Sequence, residues 1–533
     1  MADLPAPPPP DDATVPLAQQ YARAERLVAQ LQAQWSAAGA PPVERIETHI
    51  SWVLLTATEA YKFKKPVQLG FLDFGSLAAR AHACAEELRV NRRLAPGLYL
   101  DVVAFHGTAD APAIEGAGPV LEYAVRMRRF APEAVFDRRL ALGQLRVDEV
   151  EALARRIARF HAEAEVATPA QPWGQPAAVA ATVRATLARL ADTGADCADL
   201  IAWAEQAAQT LAPHHAARLR DGRVREGHGD LHLANLVVLD DGPTAFDAIE
   251  FDPGLRWIDV MNDFAFVLMD FMARGRDDLA WRALDAYLEA SGDFDGLTGL
   301  RYDLVYRASV RAMVARLRDP ASAEALSYLA CARRCQQIGG PPALVLMRGW
   351  SGSGKSTLAQ GLLAQIGAVR VRSDVERKRL HGVDALAATR AEVGGGIYTA
   401  DASARTRARL AEVARGVLAA GWRLIVDATH LRRDERAAMR MLAQTSGVPF
   451  AIVECRADPQ VLRERVRARQ AQGRDPSEAD EAVLEHQRRA DEALDADELR
   501  DALIVATDQP IDLAAIGAAL NARLVGASAL KAS

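Results

Sequence analysis

The feature that most constrains this chain is a glycine-rich motif in its last 40%. Residues 349–356 read Gly-Trp-Ser-Gly-Ser-Gly-Lys-Ser and fit the phosphate-binding pattern G-x-x-x-x-G-K-[ST]. The apolar run 343–347 directly before it is typical of a parallel strand buried on both faces. Between a strand and a helix, such a loop points its backbone N–H groups at phosphates. The motif predicts a nucleotide site whose binding residues are Gly349, Ser351, Gly352, Ser353, Gly354, Lys355, Ser356 and Thr357.

Further apolar segments indicate the fold around this loop. One ends at Asp374, and others cover residues 423–427, 450–454 and 502–506, with helical stretches between them. Alternating strands and helices are typical of a three-layer α/β domain with a parallel sheet. In this setting Lys355 is expected to reach the β and γ phosphates and Ser356 to ligate Mg²⁺.

Charged residues beyond the loop suggest what receives the phosphate. Asp374 and Asp427 each end a predicted strand, at the sheet edge where ligands bind in open α/β folds. We expect Asp374 to accept a hydroxyl proton, Arg377 to hold an anionic group, and Asp427 to orient Mg²⁺ or substrate. Arg469 and Arg474 are candidate lid arginines that neutralise charge on the phosphates. The alternatives are a surface ion pair for Asp374 with Arg377, and a solvated helix face for the arginines.

Together these segments resemble the P-loop kinases that include polynucleotide 5′-hydroxyl kinases, gluconate kinases and zeta-toxin-like kinases. The resemblance covers residues 343–520. It implies ATP-dependent phosphorylation of a hydroxyl group with Lys355, Asp374 and Arg377 as catalytic residues, and it leaves the acceptor open.

A second motif lies far upstream of the loop. In His228-Gly-Asp230-Leu-His-Leu-Ala-Asn235, the Asp and Asn have the spacing of the kinase catalytic loop H-R-D-L-x-x-x-N. Asp230 is expected to accept a hydroxyl proton and Asn235 to hold Mg²⁺. Asp247, twelve residues after Asn235, follows an Asp-Gly turn and is a second candidate metal ligand.

A strand lysine and a helical glutamate complete this second set. A hairpin is predicted over residues 49–67, and its second arm contains Lys62 and Lys64. Glu86 and Glu87 on the next predicted helix are candidate ion-pair partners. Side chains two apart on a strand share a face, so either lysine can be the one that contacts phosphate.

This upstream region resembles the aminoglycoside phosphotransferase and choline kinase branch of the protein-kinase-like fold, over residues 45–335. The resemblance implies an α+β domain that binds ATP and Mg²⁺. There is no glycine-rich loop before the strand lysine, and the alternative is a degenerate scaffold.

The predicted organisation is a disordered Pro-rich tail (1–16), a kinase-like domain (17–338), a linker (339–342), a P-loop domain (343–525) and a tail (526–533). Five scattered cysteines argue against a disulfide framework. No apolar run approaches the roughly 18 residues that span a bilayer, and no signal peptide is recognisable, so a cytoplasmic protein is expected. From residue 341 onward, 28 basic residues face 25 acidic ones, which does not favour a general polyanion binder.

The sequence therefore predicts a phosphotransferase with two ATP sites, each acting on the hydroxyl group of a small-molecule acceptor. One alternative is a single P-loop kinase regulated by a kinase-like binding domain. Another is a polynucleotide 5′-hydroxyl kinase, which the lack of a basic stripe with interleaved aromatics makes the weaker reading. The oligomeric state is not indicated by the sequence.

Overall fold

The computed structural model describes residues 15–37, 41–69, 72–114, 116, 118–387, 395–472 and 475–529. Most of the predicted Pro-rich tail, Arg474 and the last four residues lie outside these ranges. The chain forms two compact units: Met1–Ala178 with Ala216–Val267, and Val179–His215 with Leu268–Ser533. Residues 268–338 therefore group with the C-terminal sheet, whereas the sequence assigns them to the first domain. The predicted domain ranges stay a prediction.

The strands, in chain order, are β1 (Glu44–Glu47), β2 (Ser51–Leu55), β3 (Glu59–Lys64), β4 (Gln68–Leu69), β5 (Leu72–Asp73), β6 (Tyr99–Thr108), β7 (Ala111–Ala113), β8 (Val120–Arg128), β9 (Val224–Glu226), β10 (Leu236–Leu239), β11 (Gly242–Ala245), β12 (Trp257–Asp259), β13 (Leu344–Arg348), β14 (Ala368–Arg372), β15 (Arg423–Asp427), β16 (Phe450–Arg456) and β17 (Ala502–Ala506).

The helices, in chain order, are α1 (Leu17–Ala37), α2 (Leu77–Arg92), α3 (Phe136–Ala141), α4 (Val147–Glu163), α5 (Pro176–Asp192), α6 (Ala198–Arg220), α7 (Pro253–Arg256), α8 (Val260–Ala273), α9 (Asp277–Ser291), α10 (Leu297–Arg318), α11 (Ala323–Cys335), α12 (Lys355–Ile366), α13 (Ser373–Leu380), α14 (Ala400–Ala419), α15 (Arg433–Thr445), α16 (Pro459–Gln472), α17 (Glu481–Ala490), α18 (Ala496–Asp501) and α19 (Leu513–Ala529).

The first unit is built on an antiparallel sheet with strand order β1-β2-β3-β8-β6-β7. Its side chains alternate between two helices. Trp52 and Leu54 pack with Leu27 of α1 on one face. Ala60 packs with Cys84 of α2 on the other face. Because residues two apart on a strand share a face, the lysines of β3 are directed toward α2.

The second unit contains a parallel sheet with strand order β14-β15-β13-β16-β17, which confirms the predicted parallel α/β architecture of the C-terminal region. Every residue of the central strand β13 is buried. One predicted boundary differs: β14 ends at Arg372, and Asp374 lies in the first turn of α13. A carboxylate is favoured there because the N-terminus of a helix carries partial positive charge.

Helices from residue 268 onward pack within this second unit. The Trp422 indole donates a hydrogen bond to the carbonyl of Leu297 (2.8 Å), and the Arg301 guanidinium lies 4.0 Å from the centre of the indole ring. Gly339 has a φ of 85°, and a Cβ there would lie 3.0 Å from the Trp422 ring and 3.2 Å from the carbonyl oxygen of Gly367. The chain around Gly339 is therefore packed closely. None of the described helices combines the length and the apolar character that crossing a membrane requires.

Candidate functional site

The loop at 349–354 has a backbone that only glycine fits at several positions. Gly349, Gly352 and Gly354 have φ values of 139°, 80° and 78°. A Cβ on Gly349 would lie 2.5 Å from the Cys455 carbonyl oxygen, and one on Gly352 would lie 2.7 Å from that of Leu462. Positive φ and these close approaches explain the glycines of the motif.

Main-chain and side-chain bonds hold the loop at the start of α12. The Lys355 ammonium donates to the Trp350 carbonyl (2.7 Å), which curls the side chain back over the loop. The Thr507 hydroxyl, directly after β17, donates to the Ser353 carbonyl (2.7 Å). Gln487 accepts the N–H of Ser351 at 2.8 Å. Burial lowers the pKa of Lys355, an effect that the Asp427 carboxylate opposes.

A cavity of about 720 Å³ opens beside this loop. Most of the predicted binding and catalytic residues of the C-terminal region line it: Ser351, Gly352, Gly354, Lys355, Ser356, Thr357, Asp374, Arg377, Asp427 and Arg469. Gly349 and Ser353 shape the loop without lining the cavity. Arg474 lies outside the described residues. The roles of all these side chains stay predictions.

Two arginines in the cavity retain unused donors. The Arg377 guanidinium lies 4.9 Å from the centre of the Tyr398 ring and donates to the Ser403 hydroxyl (3.2 Å). Arg469 donates from Nη2 to the Ala479 carbonyl (2.9 Å). The buried Nε atoms of Arg377 and Arg469 have no hydrogen-bond partner within the described ranges. Buried donors of this kind are normally satisfied, so they suit an anionic ligand.

Asp427 also has a buried polar atom that lacks a hydrogen-bond partner in the described part of the chain, but its side chain is an acid rather than a base. Its buried Oδ2 has no hydrogen-bond partner among the described residues. This oxygen lies 3.6 Å from Arg370 Nη1 and 3.7 Å from Arg372 Nε. Carboxylate and hydroxyl oxygens are ligands that Mg²⁺ accepts, and Ser356 lines the same cavity. The residues present therefore fit a magnesium ion.

In the first unit, both strand lysines bind the same glutamate of α2. Lys62 Nζ lies 2.9 Å from Glu87 Oε1 and 2.5 Å from Asp247 Oδ1. Lys64 Nζ lies 2.5 Å from Glu87 Oε2 and also contacts Glu250. The Lys64 side chain is fully buried, whereas that of Lys62 is 12% exposed. Burial alone would lower the pKa of Lys62, but Asp247 and Glu87 raise it well above its usual value.

The predicted catalytic and metal residues of this unit lie on adjoining segments. The Asn235 amide donates to Oδ2 of Asp230 at 3.0 Å, and His232 Nε2 lies 3.3 Å from the same oxygen. The N–H of Phe246 donates to the Asn235 carbonyl (2.9 Å), which ties the segment carrying Asp247 to the Asp230 loop. Asp247 has a φ of 62°, a conformation that non-glycine residues adopt chiefly where the surrounding structure imposes it.

A buried carboxylate accepts hydrogen bonds from the backbone of the Asp230 loop. Asp263 accepts the backbone N–H groups of His228 (2.7 Å) and Gly229 (2.9 Å), and its Oδ2 lies 3.1 Å from His161 Nε2. Burial would raise the pKa of Asp263, but these partners lower it to about 2. Asp263 therefore acts as a charged anchor of the loop.

Sequence reasoning missed several residues that contact these sites. Glu250 contacts Lys64, and its position three residues after Asp247 was a visible but unused signal. Arg465, which belongs to the same arginine-rich segment as Arg469 but is not among the predicted lid arginines, lines the cavity and donates to the carbonyl of Thr507 (2.8 Å). Tyr398 and Thr507 carried no sequence signal, since they depend on contacts between distant segments.

Comparison with known proteins agrees with the fold of the C-terminal region. A family model described as "AAA domain" matches residues 344–494. Among solved structures, a gluconokinase from Sinorhizobium meliloti 1021 is 24% identical and covers 36% of this chain and 93% of that chain, with a TM-score of 0.24. A choline/ethanolamine kinase family protein from Mesorhizobium loti is 12% identical and covers 58% and 94%, with a TM-score of 0.32. Both TM-scores lie below 0.5, so neither solved structure supports a conclusion about this chain.

The parallel sheet, the glycine loop and the cavity beside it define the C-terminal region as a P-loop domain. Over most of its length the chain resembles the protein named "Uncharacterized protein Rv2004c" of Mycobacterium tuberculosis (strain ATCC 25618 / H37Rv). The two are 30% identical over 463 residues, which is 85% of this chain and 91% of the relative. "Uncharacterized protein Mb2027c" of Mycobacterium bovis matches to the same extent. The chain belongs to the family of these mycobacterial proteins.

Proposed function

We propose that the chain is an ATP-dependent phosphotransferase with two nucleotide sites, each transferring the γ-phosphoryl group to the hydroxyl of a small-molecule acceptor. The observation that carries the proposal is the cavity of the second unit. There the phosphate loop, Asp374 and two arginines with unused donors face one space. A phosphate chain, an acceptor hydroxyl and a proton acceptor can therefore meet in a single site.

In the second unit, the proposed roles follow from charge and position. Lys355 leaves the Trp350 carbonyl to bind the β and γ phosphates, while Arg377 and Arg469 neutralise charge on the transferred group. Asp374 accepts the proton of the attacking hydroxyl. Ser356 and Asp427 would hold Mg²⁺, which when bound supplies positive charge to the phosphates.

In the first unit, we assign phosphate binding to Lys62 and a supporting role to Lys64. Lys62 is the partly exposed lysine and contacts Asp247, whereas Lys64 is fully buried between Glu87 and Glu250. Asp230 is the proposed proton acceptor, and Asn235 and Asp247 would hold Mg²⁺. The carboxylates and the amide that meet here suit a cation bound beside phosphate.

The test is transfer from γ-³²P-labelled ATP across a library of hydroxyl metabolites, with Lys355→Ala and Asp230→Ala prepared separately in the full chain. Each variant is expected to abolish labelling of a different acceptor. Arg489→Ala and Asp148→Asn, at side chains 79% and 70% exposed, serve as matched controls. If Asp230→Ala leaves every labelling reaction intact, the first unit is not a second enzyme. Labelling of 5′-hydroxyl oligonucleotides without any metabolite would instead indicate a nucleic-acid end kinase.

A further inference from the structure

Arg370 of β14 is a buried arginine that joins α9 to the nucleotide site within the second unit. Its Nε and Nη2 donate to the two carboxylate oxygens of Asp285, at 3.1 and 2.6 Å. Its Nη1 donates to the carbonyl of Ser356, in the first turn of α12, at 3.1 Å. A two-point contact of this kind fixes the plane of the guanidinium, so Asp285 sets where Nη1 lies.

Arg372, two residues further along β14, is held from the same helix. Its Nη1 donates to Glu289 Oε1 (3.2 Å), and Arg370 Nη2 donates to that oxygen as well (3.1 Å). Asp285 and Glu289 are four residues apart on α9, so they share one face of the helix. Burial would lower the pKa of Arg372, but the carboxylates around it, beginning with Glu289, raise it.

The end of α9 is also bound by α13, the helix that carries Asp374. Arg379 donates to the carbonyls of Glu289 (2.6 Å) and Ala290 (3.4 Å) in the last turn of α9. Gly292 follows this turn with a φ of 68°, and a Cβ there would lie 2.7 Å from the Arg379 guanidinium. Strand β14 and helix α13, which follow α12 in the chain, are thus both bound to α9.

Arg370 and Arg372 also lie next to the Asp427 carboxylate. Arg370 Nη1 and Arg372 Nε lie 3.6 and 3.7 Å from Asp427 Oδ2, too far for hydrogen bonds, and that oxygen keeps no hydrogen-bond partner within the described ranges. Two guanidiniums next to a buried carboxylate would otherwise close on it, because charge-assisted hydrogen bonds of this type are strong. The carboxylates to which the two guanidiniums donate at 2.6–3.2 Å are instead those of Asp285 and Glu289.

We infer that Asp285 and Glu289 of α9 are positioning residues of the C-terminal site, which keep Arg370 and Arg372 off Asp427 so that its carboxylate can hold the metal of a magnesium nucleotide. This inference rests on the proposed function of the second unit. It assigns a role in nucleotide binding to a helix that the sequence places in the other predicted domain.

The experiment measures the affinity of the full chain for ATP by calorimetry, once with Mg²⁺ and once with EDTA. To isolate the C-terminal site, all proteins carry Asp247→Asn and Lys62→Met in the first unit. Asp285→Asn is expected to reduce the gain in affinity from Mg²⁺ by about 10-fold to 100-fold, the usual effect of losing an outer partner of a metal ligand. Affinity in EDTA is expected to stay within about 3-fold, because no side chain that lines the cavity is replaced.

Asp278→Asn is the matched control, since Asp278 lies on the same helix with a side chain 54% exposed. Thermal unfolding verifies that each variant is folded at the assay temperature. Glu289→Gln, at a side chain 19% exposed, replaces Asp285→Asn if that variant does not fold. An unchanged gain from Mg²⁺, or an equal loss of affinity with and without Mg²⁺, overturns the inference. A parent protein that binds no ATP under either condition overturns the proposed function of the second unit instead.

Discussion

The two candidate sites differ in how their basic side chains are paired. In the first unit, Lys62 and Lys64 share Glu87 and each contacts a further carboxylate. In the second unit, Lys355 donates to a main-chain carbonyl, and buried nitrogens of Arg377 and Arg469 have no hydrogen-bond partner among the described residues.

This difference teaches what a ligand has to do in each place. Phosphate entering the first site must displace a carboxylate from Lys62, and a metal ion that takes Asp247 would help to do so. Phosphate entering the second site adds partners to groups that lack them. We therefore expect the first site to depend more strongly on metal for nucleotide binding than the second. The following variants test this contrast, beginning with the largest expected effect.

Asp374→Asn is expected to lower the rate of phosphoryl transfer by the second unit by about 10²-fold to 10⁴-fold, the usual contribution of a general base. ATP affinity should change little, because the Asp374 side chain has no hydrogen bond or ion pair within the described residues and its proposed partner is the acceptor hydroxyl. Steady-state kinetics with the acceptor found by screening gives the rate, and calorimetry gives the affinity. Asp401→Asn, at a side chain 81% exposed, is the control. A rate equal to that of the control would show that the second site has another base.

Lys64→Met is expected to lower the free energy of unfolding by about 3–5 kcal/mol, because it leaves the buried carboxylate of Glu250 without its cation and Glu87 with Lys62 alone. Lys62→Met should cost less stability, since that lysine lies at the edge of the network, but should weaken nucleotide binding by the first unit. Urea unfolding followed by tryptophan fluorescence measures the first effect, and nucleotide titration of a Lys355→Ala background measures the second. If the two variants exchange these effects, Lys64 is the lysine that contacts phosphate.

His430→Asn tests a histidine of the second unit that has a carbonyl rather than a carboxylate as partner. His430 Nδ1 donates to the Met347 carbonyl (2.8 Å), and burial lowers its pKa to about 4. The unfolded chain therefore binds a proton at higher pH than the folded chain does. The neutral His430 side chain makes its full contribution to the free energy of unfolding above about pH 6.5. As the pH falls toward 4, the free energy of unfolding decreases by about 3 kcal/mol.

In the Asn variant this part of the pH dependence should disappear. The positive φ of His430, 42°, is one that asparagine tolerates, and its amide can donate to the same carbonyl. Urea unfolding at pH 7 and at pH 4.5 provides the measurement. An identical pH dependence in both proteins would mean that His430 is already protonated or exposed in the folded chain.

Thr507→Val should have the smallest effect, about 1 kcal/mol of stability, since it removes the neutral hydrogen bond to the Ser353 carbonyl and a long one (3.4 Å) that the hydroxyl accepts from Arg465. Asp263→Asn in the first unit should cost more, because an anion there accepts two backbone N–H groups. The pair compares a hydroxyl that supports the glycine loop of the second unit with a carboxylate that supports the Asp230 loop of the first unit. Equal losses in thermal unfolding would remove this part of the contrast.

Local patterns predicted much of this molecule. The glycine motif located both its strand and its helix, strand alternation placed Lys62 and Lys64 on one face, and the apolar run at 423–427 placed Asp427 at a strand end. These features depend on spacing within a few residues. The hairpin strands β2 and β3 also lie inside the predicted range 49–67.

The sequence failed where distant segments meet. Nothing local indicates that Arg370 is bound by Asp285, 85 residues away, because a strand arginine can equally face solvent. The position of Glu250, three residues after Asp247, does not indicate that it contacts Lys64. Asp374 was placed at a strand end because Val371 continues the apolar pattern, whereas the helix begins at Ser373. Long-range charge pairing decided the first two cases, and the local start of a helix decided the third.

The close packing around Gly339 limits where the chain can be divided into independent fragments. A Gly-Gly-Pro-Pro stretch looks like a convenient place to separate two coding segments. Yet Gly339 lies against Trp422 and Gly367, and the ring of Trp422 is covered by Arg301. A fragment that starts at residue 343 would uncover this tryptophan and leave Arg370 as a buried cation without Asp285. A portion that keeps these contacts therefore has to begin well upstream of the phosphate loop, near residue 268, and the compact unit to which it belongs also includes Val179–His215.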